Sequence, residues 1–127
     1  MKKQKNISAI ILGAGHDPAF ADSKSIPISL IEDQHGETAL KWDINALKKN
    51  KVDKIRFVGG YEIQKVGSRF PNLDFVYNPV WQETGVLGSL YQARKYINGP
   101  VIICYGDIVY TSDVVKNILK GDPNGIT

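Results

Sequence analysis

Short apolar runs alternate with amphipathic stretches along this chain, and that alternation predicts its architecture. Ile7 to Leu12 is almost continuously apolar and ends on Gly13-Ala14-Gly15, as expected of a strand buried on both faces of a parallel sheet. The polar run from His16 to Ser25 has no helical period. Ile26 to Ile31 is expected to be a short extended piece broken by Pro27, and Asp33-Gln34-His35-Gly36 a turn. A helix is predicted from Thr38 to Asn50, with Leu40, Ile44 and Leu47 on one face and lysines in the last turn, where the helix dipole favours cations.

The pattern then repeats. Lys54 to Val58 reads as a strand closing on Gly59-Gly60-Tyr61, and a short helix from Glu62 to Val66 should end at Gly67. Leu73 to Tyr77 is a third strand, stopped by Asn78-Pro79, and Val80 to Gly85 reads as a loop. A helix from Val86 to Ile97 is expected to turn Leu87, Leu90, Ala93 and Ile97 inward before Asn98-Gly99-Pro100 ends it. Val101 to Tyr105 is the most apolar strand, closed by Gly106-Asp107; Thr111 or Ser112 can cap a last helix through Lys120. A turn over residues 121–125 follows. Strands alternating with helices predict an α/β protein with a mostly parallel sheet flanked by helices. Ligands in such sheets sit beyond the carboxyl ends of the strands. Gly13 to Gly15, Gly59 to Tyr61, Asn78 to Ser89 and Gly106-Asp107 should therefore converge on one crevice.

Composition narrows the function classes. The 127 residues suit a single domain over 1–127 with one core. The net charge of +3 is mild, and the lysines form no basic stripe interleaved with aromatics, which argues against nucleic acid. Cys104 is the one cysteine, so an internal disulfide is excluded, a reducing compartment fits, and its apolar setting makes it a core residue. No run is long enough to span a bilayer, and a cytoplasmic location is expected. His16 and His35 lack metal-ligand partners at useful spacing. The first loop is neither G-x-G-x-x-G nor a Walker A sequence, and Pro18 with no helix after the loop disfavours a dinucleotide-dependent oxidoreductase. On its own the Gly-x-Gly turn is compatible with phosphate binding or with a plain strand-to-loop turn. Asp107 is likewise either a metal-binding carboxylate or a turn-former, and Asn78 either a ligand contact or a strand-ending turn.

Ala9-Ile10-Ile11-Leu12-Gly13-Ala14-Gly15 resembles the opening of the sugar-phosphate and choline-phosphate nucleotidyltransferases. Pro27-Ile28-Ser29-Leu30 stands where that family has Pro-Lys-x-Leu, and Thr38-Ala39-Leu40 and Asp53 to Tyr61 continue the match. Asn78-Pro79 with Thr84-Gly85 and Ser89-Leu90 resembles the nucleotide-contacting segment of the choline-phosphate branch, and Tyr105-Gly106-Asp107-Ile108-Val109-Tyr110 the Gly-Asp metal motif. The resemblance implies a glycosyltransferase-A-like fold that continues beyond Thr127. It implies transfer of a nucleoside monophosphate from a nucleoside triphosphate to a phosphorylated sugar, choline or similar acceptor, with Mg²⁺ as cofactor. Leu12, Gly13, Ala14, Gly15, Asn78, Thr84, Gly85 and Ser89 would bind the nucleotide, and Asp107 the metal. A homo-oligomer is compatible with it. Two departures matter: no Arg occurs between His16 and Asp22, and Ile28 replaces the family's lysine. Lys24 is the nearby cation that would take over charge stabilisation on the leaving pyrophosphate. With the family's second metal-binding Asp and acceptor site in a later half, this chain alone should turn over poorly. The alternative reading is a non-catalytic nucleotide- or sugar-phosphate-binding module that has lost the loop Arg and Lys.

Overall fold

The structure is a computed structural model that describes residues 7–16 and 26–121. Four parallel strands form one sheet: β1 (Ser8–Gly13), β2 (Lys54–Gly59), β3 (Asp74–Tyr77) and β4 (Val101–Tyr105), in the order β3-β2-β1-β4. β1 is central, with Gly13 level with Gly59 on one side and Leu12 level with Tyr105 on the other. Alternate β1 residues bury opposite faces: Ala9 and Ile11 join one apolar cluster, Ile10 and Leu12 another. A strand covered on both sides must be apolar at every position, which is why Ile7 to Leu12 carries no alternation.

The first cluster lies under α1 (Ala39–Lys49) and α4 (Ser112–Leu119), which contribute Leu40, Ile44, Leu47 and Val115 against Ile55, Phe57, Ile102 and Cys104. Thr38 caps α1, its hydroxyl accepting the Lys41 N–H at 3.1 Å, and Thr111 caps α4 by accepting from Val114 at 3.3 Å. Cys104 is buried, and desolvation pushes its thiol up to about 12, so it is packing rather than a nucleophile. No helix among the described residues is long and apolar enough to cross a membrane.

Three elements differ from the sequence expectation. Ile28–Leu30 is a 3-10 turn rather than an extended piece. α2 (Ile63–Arg69) runs through Gly67 instead of stopping there, held by buried Val66. α3 (Trp81–Gln92) begins inside the expected loop but breaks at Gly85, whose φ of 63° and ψ of −156° only glycine adopts readily. Its continuation packs through Ser89, Leu90 and Ala93, which turns Leu87 outward at 79% exposure. The helix then stops at Gln92, and Ile97 is also exposed. The 121–125 turn lies outside the described residues beyond Gly121.

Candidate functional site

The chain runs outward from β1 to β2 and β3, then crosses back to lay β4 on the other side of β1. Between β1 and β4 the connections leave in opposite directions, and a crevice opens beyond their carboxyl ends. A cleft of about 290 Å³ lies there, lined by Leu12, Gly13, Gly15, His16, Ile28, Ser29, Val86, Tyr105, Gly106 and Asp107.

The floor depends on two glycines. A Cβ at Gly106 would stand 3.0 Å from the Gly13 Cα and 3.1 Å from the Leu12 carbonyl oxygen, while the Gly106 N–H donates to that oxygen at 2.8 Å. A Cβ at Gly13 would enter the Phe57 ring. Gly15 differs: it is exposed, and a Cβ there would meet nothing within 4 Å. Its lack of a side chain serves no packing among the described residues and leaves the backbone open to the cleft.

Of the four loops expected to converge, Gly13 to Gly15 and Gly106-Asp107 line the cleft, Asn78 to Ser89 reaches it only through Val86, and Gly59 to Tyr61 does not line it but packs behind His16. Ala14 is buried and its carbonyl accepts the Tyr61 N–H at 2.9 Å. Tyr61 stacks on His16 with ring centroids 3.9 Å apart and meets Trp81 edge-on at 5.5 Å. Asn78 donates its backbone N–H to the Gly59 carbonyl at 2.8 Å. Its side chain is fully buried, with Nδ2 donating to Ser89 Oγ at 3.0 Å and Thr84 Oγ1 at 3.2 Å, and Oδ1 accepting the Val80 N–H at 3.1 Å. Asn78, Thr84 and Ser89 thus clamp the kinked start of α3, and Gly85 supplies the kink that brings Val86 to the cleft wall. Their polar atoms are turned on one another, so they shape the wall.

Asp107 sits just past β4 on the lip of the cleft, exposed, and its carboxylate has no hydrogen bond or ion pair among the described residues. No group of three or more His, Cys, Asp or Glu able to hold a metal occurs among the described residues. Asp107 is the one carboxylate among the described residues that line the cleft, an oxygen donor of the kind a hard cation such as Mg²⁺ takes. Lys24 lies outside the described residues.

Two polar groups carried no weight in the sequence reading. Ser29 is 2% exposed, borders the cleft, and its hydroxyl has no partner among the described residues. Asp43, on α1, is 1% exposed; its Oδ1 accepts the Tyr110 N–H at 2.8 Å while Oδ2 has no partner among the described residues. Burial pushes its carboxyl from 3.8 up to about 7, the Tyr110 N–H opposing. Asp43 was detectable in principle. It is a carboxylate at i+3 on the Leu40, Ile44, Leu47 stripe, where a helix puts its buried face.

No family model matches the chain. A CTP:phosphoglutamine cytidylyltransferase from Campylobacter jejuni is 25% identical over 124 residues, covering 90% of this chain and 49% of that protein. A solved nucleotidyl transferase from Methanothermobacter superposes with a TM-score of 0.74 at 18% identity, over 91% of this chain and 57% of that one. The CTP:phosphocholine cytidylyltransferase of Streptococcus pneumoniae gives 0.69 at 18% identity, over 85% and 50%. The chain spans about half the length of the curated relative it matches. The fold is that of the nucleotide-diphospho-sugar transferases, and the nucleotidyltransferase resemblance carried by the motifs is matched both by a curated relative and by solved structures.

Proposed function

We propose that this chain is the nucleotide-binding part of a nucleotidyltransferase that transfers a nucleoside monophosphate from a nucleoside triphosphate to a small phosphorylated acceptor. The observation that carries this reading is one cleft with the open glycine turn of β1 on one side and the unpaired Asp107 carboxylate of β4 on the other. CTP is the favoured nucleotide, because two of the similar proteins are CTP-dependent by name. An acceptor phosphate oxygen would attack the α-phosphorus in line, the α–β P–O bond would break, and pyrophosphate would leave with the electron pair.

In this reading the β1 turn, Leu12 to Gly15, admits the triphosphate close to the backbone. The wall clamped by Asn78, Thr84 and Ser89 at the Gly85 kink faces base and ribose. Asp107 would hold Mg²⁺, which when bound neutralises phosphate charge. Lys24 would offset charge on the leaving pyrophosphate. We place the protein in the cytoplasm, where nucleoside triphosphates and a reduced Cys104 coexist.

Calorimetric titration with CTP, UTP, ATP and GTP in the presence of Mg²⁺ tests the reading. Saturable binding with CTP tightest supports it; no binding of any of the four overturns it.

A further inference from the structure

Asp43 is an expensive residue for a helix to bury. Its neighbours on the inward face of α1 are Leu40, Ile44 and Leu47, all in the apolar cluster beneath the sheet. One carboxylate oxygen has a partner and the other has none among the described residues. A half-satisfied buried carboxylate is unfavourable, and an aliphatic side chain would fill the same stripe without that penalty. Its presence there points to the one bond it makes.

That bond goes to the segment carrying Asp107. The segment is fixed at its start by Gly106 N–H donating to the Leu12 carbonyl at 2.8 Å. Its far end is Tyr110, whose N–H is held by Asp43 and whose hydroxyl oxygen accepts the Tyr105 N–H at 3.2 Å. Thr111 then caps α4. Between the two anchors, Asp107, Ile108 and Val109 are exposed. With Tyr110 released, Asp107 would keep only the ties at its own start, the Gly106 bond to β1 and the turn in which the Ile108 N–H donates to the Tyr105 carbonyl at 3.2 Å, and would lose its hold on the α1 side. We propose that Asp43 is a positioning residue that fixes Tyr110 and thereby holds the Asp107 carboxylate at the cleft for a divalent cation. This inference rests on the proposed nucleotide–metal reading of the cleft.

Ionisation sharpens the role, since a carboxylate accepts a backbone N–H more strongly than a neutral carboxyl does. The titratable groups coupled to Asp43 are Cys104 on β4 and Tyr110 on the loop, and burial pushes both of them up, so both are neutral near pH 7. Lys48, Lys49 and Asp113 line the neighbouring groove beside Tyr110. The carboxyl of Asp43 itself is pushed up to about 7. The anchor is therefore firmest above that pH and weakens below it.

Three proteins decide the matter: wild type, Asp43→Ala and Asp43→Asn, each titrated calorimetrically with CTP, with and without Mg²⁺, from pH 6 to pH 8. At pH 8, Asp43→Ala should bind CTP with Mg²⁺ about tenfold or more weakly, as expected for one lost charge-assisted hydrogen bond. Its metal-free CTP affinity should be unchanged. Asp43→Asn keeps an acceptor oxygen and should retain most of the Mg²⁺-dependent affinity. The wild-type to Asn affinity ratio should fall as pH drops from 8 to 6, a comparison in which titration of the nucleotide phosphate cancels. Equal Mg²⁺-dependent affinity in folded Asp43→Ala, or a pH-independent wild-type to Asn ratio, overturns the inference. If the Ala variant does not fold, the Asn ratio decides. A wild type that binds no CTP overturns the nucleotide reading and this inference together; wild-type binding unaffected by Asp43 substitution removes this inference alone.

Discussion

Asp43 leaves a signature in the pH dependence of stability. Its carboxyl titrates near 3.8 when unfolded and at about 7 when folded, so between those values the native state holds the extra proton. Stability therefore falls as pH rises from about 4 to about 7 and is flat in this contribution above that. Asp43→Asn removes the slope. Its melting temperature should exceed that of the wild type at pH 8 by the equivalent of a few kcal/mol and converge with it near pH 4; a variant less stable than wild type at pH 8 would contradict the assignment. Asn78 makes the opposite prediction. Asn78→Ala strips partners from Ser89, Thr84 and the Val80 N–H, and urea denaturation should show a loss of about 2–3 kcal/mol, because buried polar groups are left unmade. A loss below about 0.5 kcal/mol would mean the clamp contributes little. At this scale the sequence exposed candidate chemistry but not burial. Asn78 reads equally well as a turn residue or as a ligand contact, and only its bonds to Thr84 and Ser89 of α3 show its amide turned inward.

At the scale of elements, the junction of β1 and β4 is constrained by backbone against backbone. Gly106→Ala would drive a Cβ into the backbone of Gly13 and Leu12, atoms that cannot swing aside as a side chain can. The backbone there would have to give by a few tenths of an ångström at the cleft floor. A loss of about 1–3 kcal/mol in chemical denaturation is expected, as for overpacking elsewhere, with CTP affinity lost alongside; a variant as stable as wild type would show that the strands yield there. The strands themselves were legible because a central parallel strand must be apolar on both faces, and Ile7 to Leu12 and Val101 to Tyr105 satisfy that locally. α1 was legible from its 3.6-residue stripe and its cap. α3 was not: Leu87 and Ile97 fit the helical period of an inward face yet point outward. The kink at Gly85 and the stop at Gln92 change which residues meet the sheet, and neither leaves a mark in the spacing of apolar residues.

For the whole molecule, order matters more than any motif. Gly-x-Gly after a strand and Gly-Asp after another are each weak signals, but the topology β3-β2-β1-β4 brings both to the one point where the chain reverses direction across the sheet. The sequence carried the motifs in the right order; the fold supplies their distance. The loop cation Lys24 lies outside the described residues, so the central claim rests on Asp107 and the β1 turn. The direct measurement is calorimetric titration of CTP into the wild type and Asp107→Ala, each with and without Mg²⁺. Wild-type binding should be strengthened at least about tenfold by Mg²⁺, with that gain abolished in Asp107→Ala and metal-free binding little changed. Binding indifferent to Mg²⁺, or an Asp107→Ala variant that keeps the full gain, would contradict that claim.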